Sequence, residues 1–185
     1  MEHLIALDRE LFFFLNRFHA GWLDTIIFYL TKTVVWIPLY AILLYLIIEN
    51  FRKKSWIPIL CVVLCLVCTD QISSSVMKPN IERVRPTHVP MFEGKVHTVN
   101  GYKGGKFSFP SSHAANSFGI AIFTFLLLRN AYRWLGYMFL WAAVFSYTRI
   151  YLGVHYPGDI IAGALVGLFF GWLFYKLNLF LEQKF

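Results

Sequence analysis

The sequence predicts an all-α, polytopic membrane helix bundle of five to six transmembrane helices with an N-terminal interfacial helix. Three observations predict it. Of 185 residues, 58% are hydrophobic and only 15% are charged, more apolar surface than a soluble domain of this size can hide, so lipid must cover much of it. Five stretches approach the roughly 20 apolar residues that a bilayer crossing needs. Their connections are either short and basic or long and polar.

The first 32 residues leave two readings open. Residues 4–18 have helical apolar spacing broken by Asp8, Arg9, Glu10, Asn16 and Arg17, and His19-Ala20-Gly21 reads as a stop before a second apolar run at 22–30. An interfacial amphipathic helix followed by a short partner helix fits this pattern; a sixth, imperfect span is the alternative. The start carries Glu2, Asp8 and Glu10, which does not match the basic head of a cleavable signal.

The five expected spans are 34–51, 56–77, 112–128, 134–151 and 159–180. The first two are joined through Arg52, Lys53 and Lys54, and the third and fourth through a turn holding Arg129 and Arg133. Residues 78–111 form a long loop rich in Gly, Pro and charge, of a kind that in compact domains is functional or disordered. The whole of 1–185 reads as a single integral membrane domain. Cys61, Cys65 and Cys68 share one face of the second span and, with no further ligand cluster, read as buried structural thiols.

Counting crossings places chemistry. The loop 78–111 and the turn between the fourth and fifth spans are two crossings apart, so they emerge on one face. That face gathers Lys78 and Arg85, then Ser111, Ser112 and His113, then Arg149, His155 and Asp159. The opposite face carries Arg52, Lys53, Lys54, Arg129, Arg133, Lys176 and Lys184, which the positive-inside rule assigns to the cytoplasm. The polar clusters are thus expected on the extracytoplasmic side of the cell (inner) membrane.

Lys78, Arg85 and Arg149 offer charge-assisted donors to one phosphate. Any one of them could be an interfacial residue with its charged tip in the headgroups; three grouped with two histidines point to an anion site. Ser111 or Ser112 is placed to cap the third span, where unpaired backbone N–H groups also favour an anion. His155 and Asp159, four apart with Pro157 between them, suit a contact in a first helical turn. A carboxylate on one ring nitrogen leaves the other as a nucleophile. His113, on a different segment, is positioned as general acid. Three fixed cations can do the work of a divalent metal on a transferring phosphoryl group, so neither metal nor cofactor is called for. His88 and His97 lack the further ligands of a zinc site. Asp70, inside the second span, stays unassigned: it could pair with a cation or line a polar cavity beneath the site. The +7 formal charge fits anionic lipid and is not arranged as the stripe that nucleic acid selects.

These clusters resemble the type 2 phosphatidic acid phosphatase family, whose signature reads Lys-x6-Arg-Pro, Pro-Ser-Gly-His and Ser-Arg-x5-His-x3-Asp. Lys78, Arg85 and Pro86 fill the first part; Pro110, Ser111 and His113 fill the second, with Ser112 at the Gly position. Arg149, His155 and Asp159 fill the third, with Thr148 at the Ser position. The resemblance implies a metal-independent lipid phosphate or diphosphate phosphatase. In it, His155 forms a phosphohistidine, Asp159 orients it, His113 serves as acid and then base, and Lys78, Arg85, Ser111 and Arg149 cradle phosphate. Size and helix count are most similar to undecaprenyl-diphosphate phosphatases, with phosphatidylglycerophosphate, phosphatidic acid and lipid A phosphates open, as is transfer to a lipid acceptor. The loop residues Phe92, Lys95, His97, Tyr102 and Lys103 are expected at the head group. Oligomeric state leaves no sequence signal.

Overall fold

The computed structural model describes residues 2–185; residue 1, at the head of the 1–32 segment, lies outside them. Helices dominate, and among the described residues the only β-type pairing is one antiparallel bridge, Val84 with Phe107. We number the helices α1 (Glu2–Asn16), α2 (Gly21–Leu30), α3 (Thr33–Lys54), α4 (Trp56–Ile81), α5 (Ser112–Leu128), α6 (Tyr137–Tyr151) and α7 (Pro157–Lys184).

Helices α3, α4 and α7 are long and apolar enough to cross a membrane. Helix α5 is apolar but shorter, at 17 residues, and α6 is preceded by a 3₁₀ turn, Arg133–Gly136. The second span runs to Ile81, past the expected end at 77, because its last stretch, Ile72–Met77, winds as π-helix before one α-helical turn closes it. The fifth begins at Pro157 and continues to Lys184. The N-terminal segment forms two separate helices of 15 and 10 residues. Phe12 of α1 is fully buried against Tyr156.

The bundle is assembled around α5 and α7. Gly163, Gly167 and Gly171 recur every four residues on one face of α7 and meet Ser111, Ala115 and Gly119 on α5. A Cβ on Gly163 would strike the Ser111 carbonyl oxygen, and one on Gly167 would strike that of Ala115. Small residues at this spacing let two backbones touch, which suits helices that gain little hydrophobic driving force from leaving lipid. The other face of α7 carries Ile161, Leu165 and Phe169, all exposed, as lipid-facing side chains are. A second core joins Leu43, Leu46 and Ile47 of α3 to Ile120 and Ala121 of α5 and Met138 and Ala142 of α6. Cys61 and Cys65 are buried beside this framework, whereas Cys68 is only half-buried, contrary to the expectation for all three; all are free thiols.

Replacing Gly167 with Ala forces the α5 and α7 backbones apart. We expect a loss on the order of 1–3 kcal/mol, the usual range for overpacking, read as a lower Tm in detergent; an unchanged Tm would show that the backbones yield without cost.

Candidate active site

Both partners of the α5–α7 contact begin at the same place. Ser111 is the N-cap of α5 and donates its backbone N–H to the Asp159 carbonyl at 3.0 Å, so the first turns of the two helices lie side by side. His113 sits in the first turn of α5 and Asp159 in that of α7. His155 stands ahead of α7, not on it, so its contact with Asp159 is not the helical-turn pairing expected from the spacing. It forms across the capping turn: His155 Nδ1 lies 3.4 Å from Asp159 Oδ2, which also accepts the Tyr156 N–H at 2.9 Å. Gly153 permits the approach. Its φ of +73° is left-handed, and a Cβ there would come within 2.8 Å of the His97 carbonyl oxygen.

The loop from Lys78 is strapped back onto this corner. Arg85 N–H donates to Lys106 O at 3.1 Å and Ser108 N–H to Arg83 O at 2.8 Å. The Arg85 guanidinium is buried, with Nε on Phe107 O at 3.0 Å and Nη1 on Val154 O at 3.3 Å. Gly104, also left-handed, passes so close that a Cβ would lie 2.8 Å from Arg85 Nη1. Arg149 is buried as well; Nη1 donates to Thr31 Oγ1 at 2.8 Å and Nη2 to the Tyr102 hydroxyl at 3.0 Å. Its Nε is buried without a partner. Lys78 Nζ donates to Ser112 Oγ at 2.9 Å, and that hydroxyl also pairs with Ser74 Oγ at 2.9 Å.

The two serines thus differ. Ser111 Oγ is turned back to its own helix, accepting Ala114 N–H at 3.4 Å, and the residue is fully buried; Ser112 Oγ faces Lys78. Among the described residues, no carboxylate forms an ion pair with Lys78, Arg85 or Arg149. Uncompensated buried charge is costly, so an arrangement of this kind is built to receive an anion. No three His, Cys, Asp or Glu side chains among the described residues cluster as metal ligands.

His155 feels all three cations. Burial lowers the pKa of its imidazole well below the usual histidine value, and Arg85, Arg149 and Lys78 lower it further. The ring is therefore neutral in the absence of an anion. His113 lies in the field of Arg149, His155 and Lys78 and packs against Phe145, with ring centroids 5.3 Å apart. It also borders a cleft of about 430 Å³ that Asp70, Gln71 and Asn116 share. Among the described residues Asp70 makes no ion pair, and its carboxylate accepts from Ser74 Oγ at 3.4 Å. Asp70 thus lines a cleft whose wall is mainly apolar, and its charge reaches Lys78 without a direct ion pair.

Several loop residues serve the protein itself. Phe92 packs edge-on against Phe13 at 4.9 Å, and His97 stacks on His19 and contacts Asp24 Oδ1 at 2.9 Å. Both hold the N-terminal helices and are not free for a head group; Tyr102 reaches inward to Arg149, while Lys95 and Lys103 are exposed. Sequence reasoning missed Thr31 and Tyr102 as supports of Arg149. It also missed Arg83 and Asp8: Arg83 joins Asp159 to Asp8 through ion pairs of 2.8 and 2.6 Å. The signal for Asp8 was a carboxylate breaking an apolar-spaced helix, and for Arg83 a third cation inside the first signature stretch.

Comparison with known proteins gives a consistent picture. A family model described as the PAP2 superfamily matches residues 58–182. A lipid A 4'-phosphatase of Bacteroides thetaiotaomicron is 44% identical over 182 residues, covering 95% of this chain and 78% of that protein. An undecaprenyl-diphosphatase of Sulfolobus acidocaldarius is 32% identical over 176 residues, covering 93% and 79%. The crystal structure of a transmembrane PAP2-type phosphatidylglycerolphosphate phosphatase from Bacillus subtilis superposes with a TM-score of 0.71 at 22% identity, over 96% of this chain and 87% of that one.

Two outcomes follow from the site's charge. Because the folded-state pKa of His155 is depressed, below about pH 6.5 the unfolded chain binds a proton that the folded chain refuses. Stability is complete above that pH and falls as the medium is acidified. The Tm in detergent should drop between about pH 7.5 and about pH 5.5, and less steeply in His155→Gln. Inorganic phosphate should raise the Tm by mass action, an effect lost in Arg149→Ala; a phosphate shift that survives that substitution would place the anion elsewhere.

Proposed function

The chain belongs to the PAP2 superfamily and is an integral membrane lipid phosphatase, and on that premise we propose that it removes phosphate from a sugar-borne lipid phosphate through a phosphohistidine at His155. The observation that carries the proposal is the cluster of Lys78, Arg85 and Arg149, which among the described residues has no carboxylate ion-pair partner, with a buried, unpaired Nε on Arg149. A phosphoryl group seated there completes that donor set and meets a neutral His155.

The steps follow from the geometry. Asp159 accepts from Nδ1 of His155, which leaves Nε2 to attack phosphorus as the P–O bond to the leaving alcohol breaks. His113, which takes up a proton as the phosphate dianion binds, passes that proton to the departing oxygen. Lys78, Arg85 and Arg149 stabilise the charge spread over the transferring oxygens. Water then attacks phosphorus as the P–N bond breaks and returns its electron pair to Nε2 of His155; His113 accepts the water proton, and inorganic phosphate leaves. Ser112 Oγ adds a donor beside Lys78, and Ser111 fixes the helix start.

The cleft next to His113 supports a sugar as leaving group. Asp70 and Gln71 offer hydrogen-bonding atoms at its wall, while Leu66, Val67, Ile120 and Phe145 make the rest apolar, so an amphipathic, hydroxyl-bearing group fits. The 44% identical relative is named a lipid A 4'-phosphatase, a substrate of that kind. Undecaprenyl diphosphate, placed first from size and helix count, is the second reading. It is supported by the Sulfolobus acidocaldarius relative and by Lys32, which joins His113 and Arg149 around a smaller pocket of about 260 Å³ where a second phosphate would be held. In either reading residues 1–185 act as one phosphatase domain in the inner membrane, with the site on the extracytoplasmic face.

Purified protein assayed on lipid A, undecaprenyl diphosphate, phosphatidylglycerophosphate and phosphatidic acid should release phosphate from lipid A at least about tenfold faster than from the others, a preference of roughly 1.4 kcal/mol. Activity should persist with chelator present. His155→Ala should stop turnover on every lipid, and acid-labile phosphate should be trapped on the unmodified protein. Fastest release from undecaprenyl diphosphate would replace the first reading by the second, and turnover by His155→Ala would remove the nucleophile. A phosphorylated lipid acceptor among the products would identify a transferase.

A further inference from the structure

Arg83 lies between two carboxylates from opposite ends of the chain. Its Nη1 donates to Asp159 Oδ1 at 2.8 Å and its Nη2 to Asp8 Oδ2 at 2.6 Å. The other oxygen of Asp8 accepts the Gly158 N–H at 2.7 Å, in the first turn of α7. The guanidinium also stacks on Tyr156, 3.9 Å from the ring centroid, and the Tyr156 N–H is held by Asp159. Asp159 itself is fully buried, whereas Asp8 and Arg83 are each roughly four-fifths covered. Asp8 belongs to α1, well before the residues 58–182 that match the family model.

Resting on the reading of His155 as nucleophile, the geometry points to Asp8 and Arg83 as positioning residues for it, through a fixed charge chain Asp8–Arg83–Asp159–His155. The physical reason is compensation. A guanidinium bound to Asp159 alone would draw off the negative charge that Asp159 presents to the imidazole. Asp8 shares the guanidinium, so the bonded chain itself holds two carboxylates to one cation and is net negative, while Arg9 nearby lies over the Phe92 ring at 6.0 Å and, among the described residues, pairs with neither carboxylate. The ring also lies in the field of Arg85 from the loop, Arg149 from α6 and Lys78 from α4, and its own charge would act on His113 of α5. Against those cations, the net negative charge behind the ring keeps the imidazole basic enough to attack. The same contact docks α1 onto the start of α7, so the N-terminal helix becomes part of the working site.

A purely structural anchor would lower stability and leave the imidazole unchanged, which makes the direction of titration decisive. Asp8→Asn keeps the size and one of the two acceptor contacts but removes a negative charge, so the His155 midpoint moves to lower pH. Arg83→Gln removes a positive charge, so the midpoint moves to higher pH. Histidine-selective NMR titration of the full chain in detergent, with His155→Gln to assign the signal, reads both. The expected order is Asp8→Asn below the unmodified protein and Arg83→Gln above it. In both variants kcat falls on the order of tenfold or more, as for other partners that orient an active-site ligand, with KM for the lipid phosphate little changed, and Asp8→Glu recovers part of the loss. Midpoints that stay together, or move in the same direction, overturn the proposal even if both variants lose stability. Phosphate trapping on the unmodified protein is run alongside. A trapped phosphohistidine with unmoved midpoints sinks the charge chain alone, and no trapped phosphohistidine sinks the nucleophile reading and the chain with it.

Discussion

Direct contact between the backbones of α5 and α7 is the constraint on which the remaining structure depends. In lipid, helices are not driven together by water, so close van der Waals approach has to hold them. Gly163, Gly167 and Gly171 provide it by giving up side chains along one ridge, opposite Ser111, Ala115 and Gly119. Two helices that touch backbone to backbone must start at nearly the same level if their first residues are bonded, and the Ser111 N–H bond to Asp159 O registers them. His113 and the His155–Asp159 pair come from segments more than 40 residues apart and meet because of that registration.

Charge is sorted around this corner in two ways. In front of His155, three cations hold only neutral acceptors: backbone carbonyls for Arg85, Thr31 and Tyr102 for Arg149, and Ser112 for Lys78. Such partners fix the direction of a guanidinium or ammonium without cancelling its charge, which stays available to an incoming anion. Behind His155, Arg83 is bracketed by carboxylates and its charge is spent locally. The same residue type thus plays opposite roles a few residues apart, and only the partner distinguishes Arg83 from Arg85.

Much of this was readable from the sequence, for physical reasons that differ by element. Three of the five expected spans, α3, α4 and α7, were legible because lipid demands long apolar runs, and the meeting of the three clusters followed from counting crossings. Their residues were legible because charge and imidazole next to hydrocarbon are rare without a task. Helix ends were less so: Ser73, Ser74 and Ser75 interrupt the apolar run, but nothing in their pattern distinguishes π-helical Ile72–Met77 from ordinary helix. Asp8, Thr31 and Tyr102 act through contacts with residues 47 to 150 positions away, and no local period records such a contact. Ser111 and Ser112 are adjacent and chemically identical, so only the fold separates the cap from the hydroxyl beside Lys78. His155 lies off the helix that its spacing implied, because the turn from Tyr151 through Gly153 uses left-handed backbone that the pattern of apolar residues does not encode.

The π-helical stretch also governs where Lys78 points. Wider winding over six residues leaves the chain about one residue behind an ordinary helix when it reaches the lysine. Rewinding Ile72–Met77 as α-helix would swing Lys78 around the axis by roughly 100°, the angle one residue subtends, and carry its ammonium off Ser112. The aim of this cation is thus written into the pitch of the backbone upstream, and a single-residue insertion or deletion there would misdirect it while every side chain of the site stayed intact.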